Sequence, residues 1–211
     1  MGIKRLLKLA GFCGILSPII AFTCIGFAIF YSPWFSWTEN WLSDLGGMVG
    51  EKPIWAARGV ASIIFNIGLI LAGIFGMMFT VGFIKSGILT TNVGRLGASF
   101  LFLCTCALCA IGIFPETTGS PHTVASVIFF SSVPLSLLFT GITIKKFKKT
   151  LGLLVIILGV ISLAISPFLL IPRPWGSNAI IEMVPSTMIA IFIVIFGIKL
   201  LMQASKIIKN T

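Results

Sequence analysis

Residues 56–84 read AARGVASIIFNIGLILAGIFGMMFTVGFI, and the only charged side chain in this run is Arg58, near its start. A helix that crosses a bilayer needs about 20 predominantly apolar residues. Lipid offers the backbone no hydrogen-bond partners, so a run of this kind favours a helix. Strands of a membrane barrel would alternate apolar and polar residues, and this run does not alternate. The stretch therefore predicts a transmembrane helix.

Five further stretches of the chain have the same character. The first begins with a few basic residues, as a signal peptide does, but its apolar part is longer than the 7–15 residues typical of one. We therefore predict that it is a retained transmembrane helix. The predicted fold is an all-α polytopic membrane protein with one domain, residues 1–211. Its transmembrane helices are predicted at about 9–31, 56–84, 95–114, 121–143, 151–171 and 180–203.

The composition excludes a soluble globular protein. Hydrophobic residues make up 57% of the chain and charged residues only 9%, whereas soluble domains carry about 25% charged residues. The net charge of +10 does not indicate a nucleic-acid partner, because the basic residues form short clusters beside helix ends, as expected near anionic lipid headgroups. The five cysteines all lie in apolar stretches and are interpreted as packing residues. We predict no metal and no cofactor.

Acidic and basic residues are concentrated in different loops. The odd-numbered loops and their borders hold all five carboxylates and the only histidine. The termini and the even-numbered loops hold twelve of the fifteen Lys and Arg residues, against three in the odd loops. Lys and Arg are enriched on the cytoplasmic side of membrane proteins. We therefore predict that both termini are cytoplasmic and that the chain is a multi-pass protein of the cell membrane.

Loop one is long and reads SPWFSWTENWLSDLGGMVGEKPIW over residues 32–55. It contains four of the five tryptophans, a residue enriched where membrane meets water, so the loop is predicted to lie along the membrane surface. Ser43-Asp44 followed by Leu45-Gly46 predicts a turn in which Asp44 accepts bonds from backbone N–H groups.

Four short polar motifs are predicted to share the outer side: Asn40–Gly46, Phe114–Glu116, Pro121-His122 and 178–182. Polar residues near the bilayer are costly and often mark function. His122 and Ser126 are four residues apart, so they share a helix face. The candidate ligand-binding residues are Asn40, Ser43, Asp44, Arg58, Glu116, His122, Ser126 and Glu182.

Three functions are compatible with these residues. An ion pair of Arg58 with Asp44 or Glu182 would either line a ligand pocket or fasten loop one to the helix ends. Asp44 and His122 could instead act as acid and base in a lipid hydrolase or acyl transferase, with Ser43 or Ser126 as nucleophile. The sequence contains neither an HExxH nor a GxSxG motif, so it gives the enzyme no support of this kind.

The sequence resembles the membrane family called domain of unknown function 998. The resemblance rests on Asn40–Gly46 (NWLSDLG), on Phe114–Glu116 with the nearby Pro121-His122, and on Glu182. More distantly, the chain is similar to the DRAM/Frag/Sfk membrane family, which has six helices and polar motifs at the same places. The corresponding residues are Ser43, Asp44, Gly46, His122, Ala179 and Glu182.

One stretch departs from the second family. Its members usually follow the loop motif with Pro-Glu, whereas this chain has Gly50-Glu51-Lys52-Pro53. Some members act in remodelling lipid anchors and others in autophagy or lipid homeostasis, so the resemblance implies a role that involves lipid. The leading hypothesis is a protein that binds a lipid headgroup or small ligand at its outer face. A structural or regulatory membrane subunit is a further alternative, and the sequence gives neither the ligand nor the oligomeric state.

Overall fold

The computed structural model describes residues 2–170 and 179–209, and its long elements are all helices. Six of them are long and apolar enough to cross a membrane, which confirms the predicted fold class. The helices are α1 (Ile3–Phe30), α2 (Val60–Lys85), α3 (Asn92–Ile113), α4 (Ser120–Lys145), α5 (Lys149–Ile165) and α6 (Ala179–Lys209).

Several predicted boundaries are wrong for physical reasons. α1 begins six residues before the predicted residue 9, because Lys and Arg are good helix formers and the helix extends beyond its apolar part. α2 begins at Val60 rather than 56, after Gly59, whose φ of 62° is left-handed. α5 ends at Ile165 rather than 171 and continues as a 3₁₀ turn, Ser166–Leu170, because Pro167 lacks the N–H that a continuing α-helix uses. α6 extends beyond the predicted residue 203.

The helices form an antiparallel bundle in which each helix packs against the next along the chain. Cys24 near the end of α1 contacts Gly68 near the start of α2, and Ala10 near the start of α1 contacts Gly82 near the end of α2. α6 returns to pack along α1, and it contacts α4 and α5 more sparsely. Connections one and three and the start of α6 therefore lie at one end of the bundle, the carboxylate end. Connections two and four lie at the other, the basic end.

Glycines allow the helices to approach closely. A Cβ added to Gly73 in α2 would lie 2.6 Å from the backbone nitrogen of Cys109 in α3. Backbone atoms cannot move aside as a flexible side chain can. A Cβ added to Gly26 in α1 would meet nothing within 4 Å.

These two glycines give a matched test of the packing. We expect Gly73→Ala to lower the free energy of unfolding by about 1–3 kcal/mol, the usual cost of overpacking. Gly26→Ala should be neutral or slightly stabilising, because alanine is the better helix former. Thermal unfolding of the purified protein in detergent measures both, and equal effects of the two substitutions would contradict the antiparallel contact between α2 and α3.

Loop one is partly exposed and partly buried, and its position along the membrane surface stays a prediction. Its outer part is exposed, with Trp34 37% and Trp37 41% exposed. Its centre, the 3₁₀ turn Ser43–Gly46, is buried at the end of the bundle. The side-chain amide of Asn66 in α2 donates a hydrogen bond to the carbonyl oxygen of Gly46 at 3.3 Å. The loop therefore closes the carboxylate end of the bundle.

Candidate functional site

Asp44 organises the turn at the centre of loop one. Its Oδ2 accepts hydrogen bonds from the backbone N–H of Trp41 at 3.0 Å and from the amide of Asn40 at 3.1 Å, which confirms the predicted role. Asn40 Oδ1 accepts in turn from the backbone N–H of Ser36 at 2.8 Å. Asp44 is only 2% exposed, and its Oδ1 has no hydrogen-bond partner among the described residues.

Glu182 connects loop one to the first turn of α6. Its Oε2 accepts a hydrogen bond from the backbone N–H of Leu42. The backbone N–H of Ala179, at the start of α6, donates to the carbonyl oxygen of Asn40 at 3.2 Å. The first N–H groups of a helix have no partner within the helix, so loop one provides one for α6. The predicted motif over 178–182 is described from Ala179 on, and Asn178 lies outside the described residues.

Glu116 places a third carboxyl group beside Ser43 and Asp44. It follows Pro115 in the short connection between α3 and α4. Burial raises the pKa of Glu116 from 4.5 to about 7; the Ser43 hydroxyl acts against this rise, and the Asp44 charge adds to it. Glu116 Oε2 is buried and has no hydrogen-bond partner in the described part of the chain. Three carboxyl groups, two from connections and one from the first turn of α6, therefore meet at one place.

The raised pKa of Glu116 predicts a pH-dependent stability. A carboxyl group that binds its proton more tightly when folded stabilises the fold below pH 4.5, and this stabilisation is lost as the pH rises through about 7. The loss should be about 3 kcal/mol. Glu116→Gln cannot ionise, so we expect its melting temperature to change less than that of the wild type across this range.

Thermal unfolding followed by tryptophan fluorescence measures this effect. Glu39→Gln is the matched control, because Glu39 is an exposed carboxylate of loop one at the same end. The control should keep the pH dependence of the wild type. A Glu116→Gln variant with that same dependence would show that Glu116 is not buried in this way.

His122 is held at the start of α4 by the end of α3. It is 6% exposed, and its Nδ1 lies 2.9 Å from the carbonyl oxygen of Phe114. A carbonyl oxygen only accepts, so Nδ1 must carry the proton and donate it. Ser126 lies one turn further along α4, and both side chains line the same cavities.

Arg58 does not pair with Asp44 or Glu182, so the predicted ion pair is wrong. Its guanidinium binds Glu51 through two contacts, at 2.7 and 2.9 Å. It also lies over the ring of Trp34, 4.1 Å from the ring centroid. The bond to Arg58 lowers the pKa of Glu51. The fold of loop one places residues 51 and 58 together before α2 begins, and Arg58 is thereby engaged away from the three carboxyl groups.

Two cavities meet at this site. A central cavity of about 90 Å³ lies inside the bundle, and a larger one of about 520 Å³ lies between α4, the end of α5 and α6. We call the larger one the lateral groove. The residues that line both cavities include Ser43, His122, Ser126 and Glu182, and Glu116 lines the lateral groove. The polar end of the groove is therefore made by the predicted site residues.

The lateral groove becomes apolar with distance from this polar end. Its α4 wall extends from His122 to Leu135, a length of roughly 20 Å at 1.5 Å per residue. Its other wall includes Leu163 and the 3₁₀ turn that follows α5. Val127 is 44% and Leu163 49% exposed, so the groove opens sideways to the surface that faces lipid.

The residues that form the site differ in part from those predicted from the sequence. Five of the eight candidate residues line one or both cavities, whereas Asn40, Asp44 and Arg58 line neither. Asn40 supports Asp44 instead. The sequence analysis missed Trp41, Ser131 and Leu163, which line the groove. Pro167 was the available signal for the early end of α5, since a proline lacks the N–H that a continuing helix uses.

The arrangement gives limited support to catalysis. In the described part of the chain, no hydrogen bond joins His122 to Asp44, Ser43 or Ser126, and the Asp44 Oδ2 is occupied by loop one. A nucleophile and its base normally lie within hydrogen-bond reach. Within residues 2–170 and 179–206, no three His, Cys, Asp or Glu side chains are grouped so that they could hold a metal ion.

The comparisons with known proteins identify the family. The family model described as "Protein of unknown function (DUF998)" matches residues 15–199. The chain belongs to this family. The match includes α2 to α5 of this DUF998 protein completely, α1 and α6 in part, and every residue of the polar site. No curated protein and no solved structure matches the chain.

Proposed function

We propose that this DUF998 protein binds an amphipathic membrane lipid at its carboxylate end. The polar part of the lipid would contact Ser43, Glu116, His122 and Glu182, and one hydrocarbon chain would lie in the lateral groove. The observation that carries the proposal is the groove itself, a single space that has polar groups at one end and apolar walls along its length.

The size and the opening of the groove support a lipid chain. A volume of about 520 Å³ falls within the 300–1,000 Å³ typical of small-molecule sites. The groove opens between helices towards the surface where lipid chains lie, as the exposure of Val127 and Leu163 indicates. A lipid could therefore enter from the bilayer without crossing water.

The side chains at the polar end favour a headgroup that donates hydrogen bonds. Glu116 and Glu182 offer carboxyl oxygens, and the nearest guanidinium, that of Arg58, is bound to Glu51. A phosphate group would meet carboxylates with no free cation from Arg58 to balance it. Hydroxyl or amine groups fit this environment better, because both donate to carboxyl oxygens.

The side of the membrane follows from the distribution of charge. Twelve of the fifteen Lys and Arg residues belong to the termini and the even-numbered loops, and such residues are enriched on the cytoplasmic side. We propose that both termini are cytoplasmic, that the protein is a multi-pass protein of the cell membrane, and that the lipid site faces outward. The resemblance to the DRAM/Frag/Sfk family stays a prediction in keeping with this role.

Native mass spectrometry with lipid extraction tests the proposal. We expect a lipid that co-purifies with the wild type to be lost from Glu182→Gln and to be retained by Glu39→Gln, which removes an exposed carboxylate at the same end. Both variants must be folded, as judged by thermal unfolding. Equal lipid content in the wild type and both folded variants would contradict the proposed headgroup site.

One observation favours a second candidate, a structural role for the same residues. The bonds of Glu182 with Leu42 and of Ala179 with Asn40 fasten loop one to α6. Loss of folding in Glu182→Gln, with no lipid on the wild type, would favour this role. The lipid hydrolase or acyl transferase that would use Asp44 and His122 remains an alternative, and turnover of a lipid abolished by His122→Ala with binding retained would favour it.

A further inference from the structure

A separate cavity lies at the basic end of the bundle, opposite the site described above. Its volume is about 350 Å³. It lies between the connection that follows α2, the connection between α4 and α5, and the last part of α6. None of its lining residues belongs to the lateral groove or to the central cavity.

Three lysines from two separate parts of the chain surround this cavity. Lys148 lies between α4 and α5, and Lys199 and Lys206 lie on α6. Gln203 is four residues after Lys199 and three before Lys206, so the three share one face of α6. The amide of Gln203 donates a hydrogen bond to the carbonyl oxygen of Ser86 at 2.9 Å, which fixes this face of α6 against the end of α2.

Within the part of the chain that the structure describes, these lysines have no counter-ion. All five carboxylates belong to the odd-numbered loops and their borders, at the other end of the bundle. Over residues 2–170 and 179–206, the ion pair of Arg58 with Glu51 is the only one. Three ammonium groups around one concavity therefore present a positive charge that an anion from outside would balance.

Exposed apolar side chains border the same cavity. Phe147 is 62% and Met202 57% exposed, and both line the cavity together with Leu151. A free ion in water would gain nothing from these side chains. An anion that carries hydrocarbon chains would contact them while its charged group met the lysines.

We propose that this cavity binds the phosphate headgroup of an anionic membrane phospholipid. Lys148, Lys199 and Lys206 would surround the phosphate, and the acyl chains would lie along Phe147 and Met202. The site is independent of the proposed function, because it lies at the opposite end of the bundle and recognises the opposite charge.

The competing explanation is a general attraction of basic residues to anionic lipid. The connection between α4 and α5 provides the matched control, since Lys145, Lys146 and Lys149 lie in or beside it and do not line the cavity. Replacing the three cavity lysines together, or these three control lysines together, removes three charges from the same end of the protein. Both replacements would weaken a general attraction equally, whereas only replacement of the cavity lysines would weaken binding to a defined site.

The experiment adds phosphatidylglycerol or phosphatidylcholine to the purified full chain in detergent and counts bound lipids by native mass spectrometry. We expect Lys148→Gln/Lys199→Gln/Lys206→Gln to bind phosphatidylglycerol about a hundredfold more weakly than the wild type, from about fivefold for each lysine. We expect Lys145→Gln/Lys146→Gln/Lys149→Gln to bind it within about twofold of the wild type, because those lysines touch no headgroup in the cavity. Phosphatidylcholine, which has no net charge, should bind weakly to all three proteins.

Two results would overturn the proposal. One is an equal loss of phosphatidylglycerol binding in both triple variants. The other is displacement of the lipid by inorganic phosphate alone at comparable concentration, which would make the occupant a free anion. If the cavity triple does not fold, Lys206→Gln and Lys149→Gln supply the same comparison, with about a fivefold loss expected for the first and none for the second.

Discussion

Replacing Ser131 by Trp is expected to lower the amount of lipid that co-purifies with the protein by at least about tenfold, a loss of about 1.4 kcal/mol in binding. Ser131 is an exposed residue of α4 that lines the lateral groove. An indole at this position would occupy the space that we assign to the hydrocarbon chain. The polar end of the groove, near His122, would be unchanged.

Ser99→Trp is the control for this substitution. Ser99 is also an exposed helical serine, and both hydroxyls donate to the carbonyl oxygen four residues earlier. Ser99 lines none of the three cavities described above. Quantitative lipid extraction from both variants, purified identically, provides the measurement. A Ser131→Trp protein that retains as much lipid as Ser99→Trp would show that the groove does not hold the chain.

Replacing Asp44 by Ala is expected to destabilise the protein by roughly 2–4 kcal/mol. The substitution removes the acceptor of the Trp41 N–H and of the Asn40 amide, and a hydrogen bond to a carboxylate contributes about 1.5–3 kcal/mol. Relief of the repulsion between Asp44 and Glu116 offsets part of this cost. Thermal unfolding followed by tryptophan fluorescence is sensitive to this loop, which holds four of the five tryptophans.

Two further variants separate the hydrogen bonds of Asp44 from its charge. Asp44→Asn keeps an oxygen acceptor and removes the charge, so we expect it to be much milder than Asp44→Ala. Glu39→Ala removes an exposed carboxylate from the same loop and should leave the melting temperature unchanged. If Asp44→Ala were as stable as Glu39→Ala, the turn would not depend on the bonds described here.

The helices could be predicted from the sequence because composition alone decides them. A stretch such as 56–84 has no alternative to a helix in lipid. The turn at Ser43–Gly46 was also predictable, since an Asp that binds nearby backbone N–H groups is a local pattern. The helix ends were harder to predict. The apolar run marks the part of a helix that lies in lipid, but it does not mark where Gly59 or Pro167 limits the helical backbone.

The convergence of the site could not be predicted from the sequence. Glu182 meets Leu42 across 140 residues, and only the packing of α6 against α1 brings them together. The pairing of Arg58 with Glu51 was missed because the path of loop one decides which carboxylate is nearest. The lateral groove was missed because lipid is as apolar as a protein interior, so the sequence of α4 does not show which of its faces lacks a neighbouring helix.

Photolabelling with a lipid that carries a photoactivatable acyl chain tests the central claim most directly. Peptide mapping would locate the labelled residues, and excess unlabelled lipid would distinguish a specific site from the surrounding bilayer. The account predicts that label between Val127 and Leu135 and at Leu163 is removed by competition and is absent in Ser131→Trp. Label at exposed residues of α1, such as Phe12 and Ile19, should persist. Labelling of the groove that competition and Ser131→Trp leave unchanged would contradict the claim that this protein holds a lipid chain there.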